Sequence, residues 1–151
     1  MNVYDNLKKL GLELPPPPPK GGIYKPVKQV GNLLYVSGQG ATKNGVSVLQ
    51  GKLGRECNVG QGQQAAQLCA LNALSVLNDF LGDLNQVKSL VKMLAFVASA
   101  DGFGQQPLVA NGASQLLLDV FGEEGVGARS AIGVKELPGN IPVEIEFVFE
   151  K

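Results

Sequence analysis

The stretch RSAIGVKELPGNIPVEIE, residues 129–146, decides the fold, because two strand-forming runs flank a turn within it. From Ile141 to Phe149 apolar residues alternate with mostly acidic ones, and this period places the apolar set on one sheet face and the carboxylates on the other. A second strand is predicted over 131–134, and the LPGN between the two runs has the composition of a turn. We therefore expect Arg129 at the start of one strand and Glu144 inside the next. If these strands are neighbours, a guanidinium and a carboxylate border one cleft.

Composition limits the class of protein. The chain has 151 residues, which suits one domain, and its formal net charge is zero with no runs of Lys or Arg. The usual electrostatic signature of a nucleic-acid binder is therefore missing, and no nucleic-acid partner is expected. No run is apolar enough to span a membrane, and the first residues mix charges with apolar side chains, unlike a secretory signal. We expect a cytoplasmic protein whose two cysteines, Cys57 and Cys69, are free thiols.

The sequence contains no histidine. This excludes Ser–His and Cys–His nucleophilic systems and the usual His-assisted ribonuclease chemistry. It also makes a zinc or iron site improbable, because most such sites need imidazole and the others need more cysteines. We expect no metal and no cofactor, and any acid–base chemistry must use Glu, Asp, Lys, Tyr or water.

The first third of the chain predicts short elements. Leucines at helical spacing predict a helix over 2–14. The proline run Pro15–Pro19 ends this helix and is itself predicted to be an extended segment. That run is either a stiff connector or a ligand for an SH3-type domain. The glycine-containing residues Ser37–Gly40 follow a strand, so they either let a ligand approach the backbone or form a bulge. Strands are predicted at 27–30, 33–36 and 46–49.

Two longer helices are predicted downstream. Asn58 is a good N-cap for a helix that continues to about Leu81, and Gly82 is a good C-cap. The GQGQQA at 60–65 matches a dinucleotide-binding fingerprint, but no buried strand precedes it, so we reject that interpretation. A strand over 87–98 and a helix starting near Pro107 follow. The apolar stripes are Ala66, Cys69, Ala73, Val76, Leu77 and Phe80 on the first helix, and Val109, Ala113, Leu116, Leu117, Val120 and Phe121 on the second.

These elements predict an α+β fold, in which a mixed sheet is covered on one face by both helices. The other face carries Glu144 and Glu146 and has no cover from its own chain. We interpret it as an oligomer interface with clefts.

Two elements of this sequence resemble a known family. The first is Arg129, followed by Leu137-Pro138 and the strand VEIE at 143–146, with Glu144 fifteen residues beyond the arginine. The second is GNLLYVSGQ at 31–39, with Tyr24 upstream. Together they are similar to the RidA/YjgF family of trimeric enamine/imine deaminases, also called endoribonuclease L-PSP-like. The match runs from about Tyr24 to Glu150, and the helix start at 109–111 is a weaker third element.

The resemblance implies a chorismate-mutase-like fold, a homotrimer, and ligand sites in clefts between subunits. It implies hydrolysis of small 2-imino or enamine acids to 2-oxo acids and ammonia, with no metal or organic cofactor. Arg129 would bind the substrate carboxylate and Glu144 would handle the attacking water. Residues 1–20 would be an N-terminal extension and 21–151 the RidA-like domain. The implied substrate-binding residues are Tyr24, Ser37, Gly38, Asn111 and Ala131.

The sequence also departs from the family pattern. Ala131 stands where the family often has cysteine, the loop around 101–104 is longer than usual, and the proline-bearing extension is absent from compact members. From spacing alone, Arg129 and Glu144 could instead form a structural ion pair between strands. Two other functions stay open, a trimeric binder of a small carboxylate without catalysis and an endoribonuclease or translation inhibitor. Zero net charge and the missing histidine argue against the last.

Overall fold

A computed structural model describes residues 2–151. Five strands form one mixed sheet in the spatial order β1-β2-β7-β5-β6, and β3 and β4 form a separate hairpin. In chain order the elements are α1 (Val3–Lys9), β1 (Val27–Val30), β2 (Leu33–Gly40), β3 (Thr42–Lys43), β4 (Val46–Ser47), α2 (Val59–Leu81), β5 (Ser89–Ala98), α3 (Gln106–Phe121), β6 (Ala128–Val134) and β7 (Val143–Glu150).

Strand β7 organises the sheet. It pairs antiparallel with β2 on one side and with β5 on the other, so both of its edges are hydrogen-bonded. Its apolar residues Val143, Ile145, Phe147 and Phe149 are all buried, at 2 % exposure or less, and α2 packs on β7 while α3 packs on β5 and β6. The predicted α+β mixed sheet with two helices on one face is therefore confirmed.

The condition that the two C-terminal strands are neighbours in the sheet is not met. Strands β6 and β7 follow each other along the chain, yet β5 lies between them in the sheet, with β6 parallel to it. The reason lies in burial, because β7 has a fully buried face whose backbone needs partners on both sides. Most residues of β6 are exposed, which suits an edge strand. The eight residues between the two strands cross over the end of β5 to make this possible.

The caps of α2 behave as predicted. The Asn58 side chain accepts from the backbone N–H of Gln61, and the Gln61 side chain accepts from that of Asn58, which is a capping box. Gly82 ends the helix in the left-handed conformation, at φ 79°. The GQGQQA residues form the first turns of this helix. Phe80 was wrongly assigned to the buried stripe, because it lies in the last turn and is 47 % exposed.

The two long helices approach each other closely at Gly112. A Cβ placed on that residue would lie 2.0 Å from the backbone carbonyl oxygen of Gln63. Since no side chain tolerates such a contact, the separation of α2 and α3 requires glycine at this position.

The N-terminal residues share the core of the domain. Val3 and Leu7 on α1 are buried against the same apolar cluster as the sheet and helices. The helix ends at Lys9, before Gly11 with φ +71°, so the predicted extent to residue 14 and the prolines as terminators were wrong. The following segment runs back over α2, where the Ser75 hydroxyl donates to the Pro15 carbonyl at 2.5 Å.

The face of the sheet opposite the helices is uncovered. Tyr35 on β2 and Ile132 on β6 are 45 % and 44 % exposed there, and Glu146 on β7 is exposed between these two strands. Strand β2 carries a bulge at Ser37–Gly38, where its register against β7 shifts. The bulge alternative is therefore confirmed at that position. No helix within residues 2–151 is long and apolar enough to cross a bilayer.

Candidate functional site

A cavity of about 330 Å³ opens beside Glu144. It lies where β7 begins and β2 ends, and the bulged backbone of β2 forms its floor. Three residues that the sequence predicted for the site line it together, namely Tyr24, Gly38 and Glu144. The other walls come from the extension at 18–21, the β3–β4 hairpin and the Pro138–Gly139 turn. We call this cavity the Glu144 pocket.

The Glu144 carboxyl group is half-buried, and burial raises its pKa above the usual value. The negative charge of Glu146, two residues along the same strand, raises the pKa further. No cation in residues 2–151 lies close enough to form an ion pair with it, since the one ion pair there joins Arg55 and Glu56. A carboxyl group in such a setting is well suited to accept and return protons.

Gly38 lets this carboxyl group lie against the backbone of β2. A Cβ on Gly38 would lie 2.9 Å from a carboxylate oxygen of Glu144 and 3.1 Å from its carboxyl carbon. A side chain here would push the carboxylate out of its position. The glycine is therefore needed for the close approach of the Glu144 side chain, and the approach of a ligand to this backbone stays a prediction.

Tyr24 and Ser37 are placed differently. The Tyr24 hydroxyl accepts a hydrogen bond from the Gly21 N–H at 2.9 Å, which ties the extension to the rim of the Glu144 pocket. The Ser37 hydroxyl donates to the Lys25 carbonyl at 2.7 Å. Ser37 does not line the Glu144 pocket but a neighbouring cavity of about 360 Å³ on the open sheet face.

Arg129 belongs to a second cluster at the edge of the sheet. Its guanidinium donates to the Asn111 side-chain oxygen at 2.7 Å, to the Ser114 hydroxyl at 3.1 Å and to the Pro107 carbonyl at 3.4 Å. All three acceptors lie on the first turns of α3, so the helix fixes the orientation of the exposed fork. Ala131 follows on the same strand and packs, partly buried, against the core. We call this group the Arg129 cluster.

Within one chain the two groups do not meet. Arg129 pairs with Met93 and Glu144 pairs with Phe96, three positions along β5, so their side chains lie on opposite faces of the sheet. The guanidinium is on the helix side and the carboxylate is on the open side. The expected shared cleft between neighbouring strands is thus absent within one chain. The alternative of a structural ion pair between them is also wrong for a single chain.

Several residues of the site were missed from the sequence. Ser114 lies three positions after Asn111, on the same side of a helix, and that spacing could have identified it. Lys20 and the hairpin residues reach the Glu144 pocket from distant parts of the chain, and no local pattern indicates such contacts.

Comparison with known proteins places the chain in a family. Residues 5–147 match the family model described as "YjgF/chorismate_mutase-like, putative endoribonuclease". Protein TCP17 from Trypanosoma cruzi is 44 % identical over 150 residues, covering 98 % of this chain and 93 % of that protein.

Solved structures give the same result. A protein from Shewanella oneidensis described as a "putative endoribonuclease" superposes with a TM-score of 0.96 at 30 % identity, with all of both chains covered. RidA from an Antarctic Psychrobacter superposes with a TM-score of 0.61 at 26 % identity, covering 89 % of this chain and 93 % of RidA. The fold is therefore shared with RidA, and the whole length of the chain is shared with the Shewanella protein.

Proposed function

The chain belongs to the YjgF/chorismate mutase-like family, and from this premise we propose that it hydrolyses small 2-imino and enamine acids to 2-oxo acids and ammonia. The observation that carries the proposal is Glu144. Its carboxyl group lines a cavity, is half-buried, has a raised pKa and lies against the backbone at Gly38. Glu144 also stands at the position where the family resemblance expects the residue that handles water. A base works best when its pKa lies near the working pH, and burial moves the pKa of Glu144 in that direction.

A second copy of the chain would complete the site. The Glu144 pocket has no arginine, while the Arg129 cluster presents its guanidinium at the exposed edge strand β6. We propose a homotrimer in which the β6 edge of one subunit closes on the Glu144 pocket of the next. Exposed apolar side chains on the open face, such as Tyr35 and Ile132, support burial against a partner.

In this arrangement Arg129 binds the substrate carboxylate through its two parallel N–H donors. Glu144 takes a proton from a water molecule as its oxygen bonds to the carbon of the protonated imine, and the C=N bond becomes a single bond. Glu144 then gives the proton to the nitrogen, the C–N bond breaks and ammonia leaves. The hydroxyl gives its proton to Glu144 as the C=O bond of the 2-oxo acid forms, and Glu144 passes that proton to the released ammonia and is again a carboxylate. Correct positioning of water and imine alone lowers the barrier by several kcal/mol.

Subunit mixing tests both parts of the proposal. Arg129→Met and Glu144→Gln each remove one of the two functional residues from every site, so each homotrimer should be inactive. The substrate is an imine generated in the assay by an amino-acid oxidase. Co-expression of the two variants in equal amounts should restore about one quarter of wild-type activity, since random assembly places both intact residues at about one site in four.

The controls for this experiment are the two variants mixed without subunit exchange and the molar mass of each by light scattering. Restored activity in unexchanged mixtures, or none after co-expression of proteins with the expected trimer mass, contradicts a site shared between subunits. Full activity of either variant alone contradicts the role assigned to the substituted residue, and a wild-type rate no higher than spontaneous hydrolysis contradicts the deaminase itself.

Two alternatives remain distinguishable. A binder without catalysis is favoured by Ala131, which replaces a thiol, and it predicts 2-oxo acid binding with no turnover of any imine. Endoribonuclease activity is named in the family description. The sequence offers no histidine for it, so we expect RNA incubated with repurified protein to stay intact.

A further inference from the structure

The N-terminal extension forms a wall of the Glu144 pocket. Pro18, Pro19, Lys20 and Gly21 all line this cavity, although they precede the strands of the sheet by several residues. The predicted role of a connector therefore does not describe the whole function of the proline run.

Contacts along its length hold this wall in place. The Pro15 carbonyl accepts from Ser75 on α2 at 2.5 Å, and the Gly21 N–H donates to the Tyr24 hydroxyl at 2.9 Å. Between these two bonds, Pro19 packs against the β3–β4 hairpin so closely that a Cβ on Gly45 would lie 3.0 Å from its Cγ. Proline also restricts the backbone, so little freedom is lost when the segment holds this path.

The charges of the pocket are few. Of all the residues that line it, only Lys20 and Glu144 are charged. Lys20 is exposed and forms no ion pair, because the one ion pair within residues 2–151 joins Arg55 to Glu56. Its ammonium group is thus available to an anionic ligand that enters the cavity.

We propose that Lys20 is a specificity residue that binds a second anionic group, so that the preferred ligands are dicarboxylic 2-imino acids and their 2-oxo acid products. This inference rests on the proposed function, in which Arg129 from a neighbouring subunit binds the first carboxylate. A pocket of about 330 Å³ lies at the lower end of the roughly 300–1,000 Å³ of small-molecule sites. It has room for a short ligand that reaches from the prolines of the extension to the Glu144 carboxyl group.

Calorimetry with two product probes on the full chain tests the inference. Wild-type protein should bind 2-oxoglutarate more tightly than 2-oxobutanoate. Lys20→Met should weaken 2-oxoglutarate binding by about tenfold, as expected for loss of one hydrogen-bonded charge pair, and change 2-oxobutanoate binding less than about twofold. Lys43→Met is the matched control, since Lys43 is an exposed lysine of the neighbouring hairpin outside this pocket, and it should change neither.

Equal affinity of wild-type protein for the two probes, or equal effects of Lys20→Met on both, overturns the inference and leaves the deaminase proposal intact. Turnover of the corresponding imines separates the two proposals further. Discrimination between probes that depends on Lys20, with no turnover of either imine, supports the second anionic site and sinks the deaminase.

Discussion

The Glu144 pocket and the Arg129 cluster are built in opposite ways. Glu144 lies on a central strand whose backbone is hydrogen-bonded on both sides, yet its carboxyl group is left without a cation and partly removed from water. Arg129 lies on an edge strand, yet three acceptors on α3 hold its guanidinium. The central strand thus carries a half-buried carboxyl group in a firm frame, and the edge strand carries a guanidinium that a helix orients.

The comparison is tested most strongly by removing the two acids of β7 one at a time. Glu144→Gln should lower kcat on imines by about 10²–10⁴-fold, the usual contribution of a general base. Glu146→Gln should retain activity within a few-fold, although it lies on the same strand and the same face, because its carboxylate is exposed to water. Steady-state kinetics with ammonia detection checks both. Similar losses in the two variants would show that overall charge, not the pocket, determines the rate.

Loss of one hydrogen-bond acceptor of Arg129 should lower kcat/KM by a smaller factor than loss of the Glu144 carboxylate lowers kcat. Asn111→Ala removes the shortest hydrogen bond to the guanidinium, so kcat/KM should fall by about tenfold, mainly through a higher KM. Gln115→Ala is the matched control on the same helix, because its amide bonds only to Asp119. An unchanged KM in Asn111→Ala would mean that Arg129 is oriented by its strand and not by α3.

The smallest expected effect concerns stability and pH. Because burial raises the pKa of Glu144 in the folded state, the folded protein holds this proton more tightly than the unfolded chain. The stability linked to that proton is present below the unfolded pKa and is lost as pH rises through the folded pKa. Glu144→Gln removes the penalty for the ionised form, so its melting temperature should exceed that of wild type at pH 7.

Below pH 4 that difference should be lost, because both side chains are then neutral. Thermal unfolding of wild type and Glu144→Gln at the two pH values checks this. A higher melting temperature of Glu144→Gln at low pH alone would contradict the assigned direction of the pKa shift.

Local signals were sufficient to predict the two long helices. Asn58 and Gly82 fixed both ends of α2 because caps act within one turn of the helix. The helix α1 ended early for a similar local reason, since Gly11 adopts a positive φ several residues before the prolines. Its leucine spacing alone did not show this.

The site was harder to predict, because its parts meet through topology. Arg129 and Glu144 are fifteen residues apart in sequence, but β5 lies between their strands in the sheet, so the two side chains do not meet within one chain. Strand order depends on which face of each strand is buried, and a neighbour in sequence need not be a neighbour in the sheet. The place of Lys20 in the lining of the Glu144 pocket depends on a path back across α2 that no motif encodes.

Gly112 has a consequence beyond its own packing. It has no side chain, yet it sets how near α3 can come to α2. Its neighbour Asn111 accepts a hydrogen bond from Arg129. Any larger residue at this position would act as a wedge that lifts the whole arginine support away from the edge of the sheet. The position of the Arg129 guanidinium is therefore sensitive to mutation at a residue that has no side chain of its own.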